Sequence, residues 1–166
     1  MGFSGSGIFN NDHCLDVCDG VMSDLQRQIE DGVRAVIQAV PLTIDADRVI
    51  RAAPAREEDG GDDAYQLLVL LDERLLAPIA MLTALCCDSI VRAMPPESDV
   101  VTYWHNLVRA TYGRIREVEQ RQPPRREDSM QANEIPGRAQ SPAFWVERER
   151  TTDELFTRLA KEANWY

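Results

Sequence analysis

Residues 64–94, AYQLLVLLDERLLAPIAMLTALCCDSIVRAM, form the richest apolar stretch of the chain and decide its fold. The segment Leu67–Leu71 alone would suit a buried strand, but the length of the stretch and its few β-branched residues favour helix. Pro78 has no backbone N–H, and its ring clashes with the preceding turn. We therefore predict two helices, at about 64–76 and 78–94, or one kinked helix at the centre of the fold.

An amphipathic helix is predicted before this stretch. Apolar residues recur at steps of three and four between residues 15 and 40, which is one helical stripe held for about seven turns. Gly20 and Gly32 are expected to weaken this helix locally, by about 1 kcal/mol each relative to Ala. Pro41 ends the pattern.

Three further helices are expected elsewhere in the chain. A second amphipathic stripe runs from 101 to 118, and Ser98 or Asp99 is suited to cap its helix. The apolar residues of 44–53 suggest a short helix, and those of 152–164 suggest another at the C-terminal end.

The predicted fold class is all-α, an irregular helical bundle of at least four helices in a single domain, 1–166. Residues 121–142 are polar and interrupted by Pro and Gly, so they are predicted to form a long loop before the C-terminal helix. Loops of this length are uncommon in compact domains and are often functional.

The charge of the chain limits its partners. The formal net charge is -10, and residues 1–63 hold thirteen Asp and Glu against five Arg. This balance argues against nucleic-acid binding, which needs clustered Lys and Arg, and it suits a basic protein partner. No apolar run is long enough to span a membrane, and the first residues do not resemble a secretory signal. We expect a cytoplasmic protein with reduced cysteines, no cofactor and no membrane association.

A glycine-rich segment, GFSGSGIFNND, precedes the first helix. Such a segment can bind phosphate at a helix N-terminus, but this one lacks the Gly-Lys-Ser/Thr ending of a P-loop and follows no strand. The favoured interpretation is structural: Gly5 and Gly7 permit unusual backbone angles, Phe9 fills the core, and Asn11 or Asp12 caps the helix.

Two groups of acidic residues are candidates for function. Asp12, Asp16 and Asp19 share one helix face and could bind a divalent ion, although a solvated face is the favoured interpretation. The second group lies in a segment that is expected to be an exposed loop, and it could steer a basic partner onto the surface. These candidate partner-binding residues are Glu57, Glu58, Asp59, Asp62 and Asp63.

The N-terminal signature resembles the start of a bacterial family known as domain of unknown function 4259. The matching residues include Gly5, Gly7, Phe9, Asn11, Asp12 and Asp16. The apolar 77–94 segment and the pair Phe144–Trp145 are also similar to segments of that family. The region 45–63 departs from it, because it is longer and more acidic than expected for a family member. The family has no established activity, and small acidic proteins of this type resemble the immunity proteins encoded beside polymorphic toxins.

These observations lead to one main functional hypothesis and two alternatives. The chain is predicted to be an acidic protein-binding module, most specifically an immunity protein that neutralises a basic toxin domain by occlusion, as a monomer or a homodimer. The first alternative is a metal-dependent hydrolase that uses Asp12 and Asp16. The second is a scaffold protein without catalysis. No residue is predicted to be catalytic in the main hypothesis, and His105 has no Ser or Cys motif to complete a triad.

Overall fold

The central apolar stretch is helical in a computed structural model, which describes residues 12–44, 50–53, 64–87, 93–121 and 140–163. The elements are, in chain order, α1 (Asp12–Ala39), β1 (Leu42–Ile44), β2 (Ile50–Ala52), α2 (Ala64–Leu71), a π-helical turn (Asp72–Leu76), α3 (Ala77–Cys87), α4 (Ser98–Arg121) and α5 (Pro142–Ala163). The predicted all-α class is confirmed. Within the described ranges, α2, the π turn and α3 follow one another without a gap and form one rod, which makes four helical rods in all.

The rod passes Pro78 without a break. Because proline has no N–H and its ring crowds the carbonyl group of the fourth residue before it, an ordinary α-helical turn is strained between Arg74 and Pro78. The turn before the proline is widened instead, and the Ala77 N–H donates to the Asp72 carbonyl, five residues back. π-Helical geometry is rare and occurs mostly as a single turn of this kind inside an α-helix.

The rod ends earlier than the sequence pattern predicts. The described part of α3 extends to Cys87, and neither Ala93 nor Met94 is helical, so the predicted end at residue 94 is wrong. Met94 directly precedes Pro95, and a residue in that position is disfavoured in helical geometry because the proline ring crowds its backbone.

Helix α1 lies alongside the rod and contacts α2, the π turn and α3. The two backbones come close together at Gly32, where an added β-carbon would lie 1.9 Å from the Arg74 carbonyl oxygen and 2.7 Å from its carbonyl carbon. Only glycine fits at such a distance without displacing backbone. The sequence indicated only that Gly32 would weaken its helix. The structure shows that the absence of a side chain at this position is required for α1 to pack against the rod.

The apolar stripe that was predicted on α4 is buried in the structure. Val101, Trp104, Val108 and Tyr112 are all buried, and Ile115 completes the stripe with no exposed surface. The helix contacts α2, β2 and α5, while α5 also contacts α3. The core therefore lies between the rod, α1, α4 and α5.

The helix predicted at 44–53 is wrong, because strands stand at both of its ends. Strands β1 and β2 pair antiparallel, with Leu42 opposite Ala52. Ile50 is buried and the next residue, Arg51, is exposed, which is the alternation of a half-buried strand. Strand β2 contacts α4, so the pair covers one side of that helix.

The C-terminal helix begins at Pro142, well before the predicted start at residue 152. Proline is favoured in the first turn of a helix, where its missing N–H would have no intrahelical partner. The Ser141 hydroxyl accepts a hydrogen bond from the Phe144 N–H at 3.2 Å and caps the helix.

The predicted polar loop, 121–142, begins and ends at residues of two described helices. Arg121 is the last residue of α4 and Pro142 the first of α5. Residues 122–139 lie outside the described part of the chain.

Replacing Gly32 by Ala is expected to destabilise the protein, because the new methyl group would meet the Arg74 carbonyl group. We expect the free energy of unfolding to fall by about 1–3 kcal/mol, the usual cost of overpacking. Urea denaturation followed by circular dichroism measures this change.

Gly20→Ala is the matched control on the same helix. Nothing lies within 4 Å of a β-carbon at Gly20, so this change should stabilise the protein by about 0.5–1 kcal/mol through helix propensity. If Gly32→Ala is as stable as Gly20→Ala, the close approach of α1 to the π turn is wrong.

Candidate functional site

A polar network between α4, α5 and the π turn is the most extensive one in the described part of the chain. The hydroxyl groups of Tyr112 and Thr152 share a hydrogen bond of 2.8 Å. The Arg148 Nε donates to the Tyr112 hydroxyl at 3.1 Å, and the same guanidinium forms an ion pair with Asp72. One arginine therefore joins α5 to both α4 and the rod.

The network is unsuited to acid–base chemistry near neutral pH. Burial raises the pKa of Tyr112 to about 12; Glu149 and Asp153 raise it further, and the hydrogen bond with Thr152 acts in the opposite direction. Burial also lowers the pKa of Arg148, but a guanidinium stays protonated at neutral pH. A general acid or base works best with a pKa near the working pH. These side chains therefore connect helices.

A second polar cluster surrounds His105 on α4. Its Nε2 lies 2.7 Å from Asp153 Oδ1, and Arg109 donates to the other oxygen of that carboxylate at 3.2 Å. The imidazole ring stacks on Phe156 at 4.8 Å between centroids. A His–Asp pair is part of a catalytic triad, but no described Ser or Cys side chain hydrogen-bonds to His105. The cluster joins α4 to α5.

Glu119 fixes the beginning of α5 against the end of α4. One of its carboxylate oxygens accepts a hydrogen bond from the Trp145 indole at 3.1 Å, and the other accepts one from the Gln140 backbone N–H at 3.1 Å. Arg116 lies over the Trp145 ring at 5.4 Å and forms an ion pair with Glu149. The two helices are therefore bonded along much of their shared length.

The sequence interpretation missed this network because it started α5 too late. The network residues Trp145, Arg148 and Thr152 recur at steps of three and four, and Phe156 continues the series. A helix that starts at Pro142 places these residues on one face. The signal was present, but the predicted start at residue 152 left Trp145 and Arg148 outside the helix.

Cys86 is a buried cysteine whose thiol is not activated. Cys18, Cys86 and Cys87 are free. Burial raises the pKa of Cys86 to about 11, with smaller contributions from Cys87 and Glu162. Because a reactive cysteine needs a lowered pKa, Cys86 is a packing residue.

Most of the acidic residues predicted as sites cannot be placed. Helix α1 begins at Asp12, and Asp16 is exposed on it. The following predicted residues, and the side chain of Asp12, lie outside the described part of the chain: Gly5, Gly7, Phe9, Asn11, Glu57, Glu58, Asp59, Asp62 and Asp63. Within the described part, no three His, Cys, Asp or Glu side chains lie close enough together to hold a metal ion.

Ion pairing is uneven over the described surface. On α5, each of four carboxylates pairs with an arginine: Glu147, Glu149, Asp153 and Glu154. On α1, Arg27 pairs with Asp24, and Arg34 pairs with Glu30 and Asp31. Asp16 and Asp19 are exposed and have no ion-pair partner among the described residues. Unpaired negative charge is therefore present in the N-terminal half of α1.

Two surface depressions lie on the described helices. The first is on α5 and is lined by Arg150, Asp153, Glu154, Thr157 and Arg158. The second is on α2 and the π turn and is lined by Tyr65, Gln66, Val69, Leu70, Glu73 and Arg74. Each is formed by one rod only, whereas small-molecule sites are usually concave and enclose most of their ligand.

Comparison with known proteins gives no relative to guide the assignment. No protein-family model matches the chain, and neither the curated proteins nor the solved structures gave a match. The resemblance to domain of unknown function 4259 therefore stays a prediction. No helix in the described ranges combines the length and the apolar character needed to cross a bilayer.

Tyr112→Phe should remove a pH-dependent part of the stability. Because the folded-state pKa is raised from 10.0 to about 12, the tyrosine contribution is complete below pH 10.0 and is lost as the pH rises towards 12. The wild-type protein should lose about 2–3 kcal/mol of its free energy of unfolding over that interval from this group.

Denaturant titrations at several pH values between these limits test this expectation. The stability difference between the wild type and Tyr112→Phe should shrink as the pH rises. Tyrosinate absorbance should also show one ionisation near the upper limit that the variant lacks. A stability difference that does not change with pH would contradict the buried, hydrogen-bonded position of Tyr112.

Proposed function

We propose that the chain is an acidic protein-binding module, most specifically an immunity protein that neutralises a basic bacterial toxin domain by covering its binding cleft. The observation that carries this proposal is the distribution of negative charge. Residues 1–63 hold thirteen acidic residues against five arginines, and Asp16 and Asp19 are exposed on α1 without described ion-pair partners. By contrast, four carboxylates of α5 already have arginines.

Uncompensated surface carboxylates favour encounter with a basic protein. Charges of one sign raise the association rate of an oppositely charged partner, and this steering weakens with ionic strength. Carboxylates that are already paired, such as Glu149 with Arg116, contribute little to such a field. The part of the chain before α2 is therefore the better candidate for a partner surface.

The connected helices provide a rigid support for such a surface. Arg148, Glu119 and Asp153 each bond across helix boundaries. A protein that is already ordered loses less conformational entropy when it binds. Occlusion by a preformed surface needs no reaction centre, which agrees with the use of the described polar residues as helix connections.

The metal-dependent hydrolase alternative gains no support from the described residues. Asp16 is exposed, and the carboxylates nearest to it in sequence with described side chains, Asp19 and Asp24, are exposed as well. A catalytic divalent ion is usually held by several convergent carboxylates.

A charge-reversal experiment tests the proposed partner surface. The probe is the product of the reading frame adjacent to this gene, tested first for growth arrest and for rescue by co-expression of this chain. Association of the two purified proteins is then followed by stopped flow. Glu57→Lys with Glu58→Lys should slow association at least tenfold at about 0.01 M salt, and the effect should shrink near 1 M salt, where the Debye length is about 3 Å.

Glu97→Lys with Asp99→Lys is the control, because it changes the net charge equally at two residues outside the acidic segment. Both control residues are exposed at the start of α4. Equal slowing by the two double variants would show that net charge alone matters and would reject the acidic segment as the partner surface. A neighbouring protein that neither arrests growth nor binds this chain would count against the immunity function itself.

A further inference from the structure

One long face of the rod formed by α2, the π turn and α3 is covered by no other element that the structure describes. Its apolar residues include Tyr65, which is 47% exposed, and Met81, which is 56% exposed. The other residues of this face are exposed or half-buried and recur at helical steps. The open face of the rod consists of Tyr65, Gln66, Val69, Leu70, Glu73, Arg74, Ala77, Ala80, Met81 and Ala84.

The open face has a bulky half and a small half. The α2 half carries Tyr65, Val69 and Leu70, whereas the α3 half carries alanines at 77, 80 and 84 besides Met81. Most α-helical surfaces that face water are rich in charged residues. This face has only two, and they lie next to each other where the two halves meet.

The two charged residues are Glu73 and Arg74, both exposed in the π turn. Neither has an ion-pair partner among the residues that the structure describes. Glu73 and Arg74 lie near the middle of the open face. A two-fold axis that passes between them would bring each charge next to the opposite charge on a second copy of the chain.

We propose that a second copy of this chain packs on the open face, with the two rods antiparallel about a two-fold axis near the π turn. In this arrangement Glu73 meets the partner subunit's Arg74, and Arg74 meets the partner subunit's Glu73. The bulky α2 half of each copy lies on the alanines of the other copy, where small side chains allow helices to approach closely.

Charge and size together select the antiparallel arrangement. In a parallel two-fold pair, Glu73 would face the partner subunit's Glu73, and Arg74 would face the partner subunit's Arg74. That arrangement would place like charges together. Leu70 would also face leucine, and Ala80 would face alanine, which leaves one end crowded and the other end open. Only the antiparallel pair satisfies both the charge pattern and the size pattern.

The interface is small, and the dimer should be correspondingly weak. Twenty residues of helix, from 65 to 84, extend for about 30 Å. A face of that length is about the size of a large apolar patch on a monomer and forms an interface at the low end of the specific range. The charge of -10 on each copy adds repulsion, which about 0.15 M salt reduces by screening.

Self-association uses residues different from those of the proposed function. The acidic segment at 57–63 precedes α2, and Asp16 and Asp19 lie on α1, so none of them belongs to the open face. The dimer and the toxin-neutralising activity can therefore fail independently.

Sedimentation equilibrium of the full chain tests the proposal. Between about 1 and 300 µM at 0.15 M salt, the mass should rise from 18.7 kDa towards twice that value. Glu73→Arg and Arg74→Glu should each weaken association at least tenfold. The double variant Glu73→Arg with Arg74→Glu should restore it, because the exchange recreates both ion pairs across the axis.

Two further variants separate the interface from general effects. Met81→Glu should abolish association, whereas Val146→Glu should not, since Val146 is 68% exposed on α5 and lies outside the open face. Circular dichroism of each variant checks that the helices form. A wild-type chain that stays monomeric over the whole concentration range overturns the proposal, as does a dimer that neither single charge reversal weakens.

Discussion

The backbone contact between Gly32 and the Arg74 carbonyl group is the constraint on which the rest of the structure depends. The contact forms because two local features lie side by side, the widened turn before Pro78 and the glycine in α1. Pro78 prevents an ordinary α-helical turn and widens the rod, while a residue without a side chain in α1 lets that helix come close to the widened turn. A larger residue at position 32 would move α1 away from the core that it covers.

The same π turn is also connected to α5. Its first residue, Asp72, forms the ion pair with Arg148, and Arg148 in turn donates to Tyr112. A change in the shape of the turn would therefore move α1 through its backbone and move α5 through a side chain. A regular α-helical turn without a charged residue at position 72 would provide neither connection.

The sequence predicted the parts of the fold that depend on periodicity and missed those that depend on close approach. The apolar stripes of α1 and α4 and the central position of the rod followed from steps of three and four. The role of Gly32 did not, because periodicity identifies the buried face of a helix and not which backbone lies against it. Pro142 was assigned to the predicted loop, although proline also starts helices, and the helix start predicted at residue 152 concealed the network around Tyr112. For the candidate site, sequence supplied the charge imbalance, and only the structure showed which carboxylates already have partners.

The two proposed surfaces have a joint consequence for how partners would be arranged. Asp63 directly precedes Ala64, the first residue of α2, so the acidic segment joins the chain at one end of the rod. Antiparallel pairing places the two copies of Ala64 at opposite ends of the paired rods, about 30 Å apart for a rod of this length. A dimer of this kind would carry two acidic segments, each joined to the paired rods at its own Ala64. It would bind two basic partners independently, or one partner with two sites at a raised effective concentration.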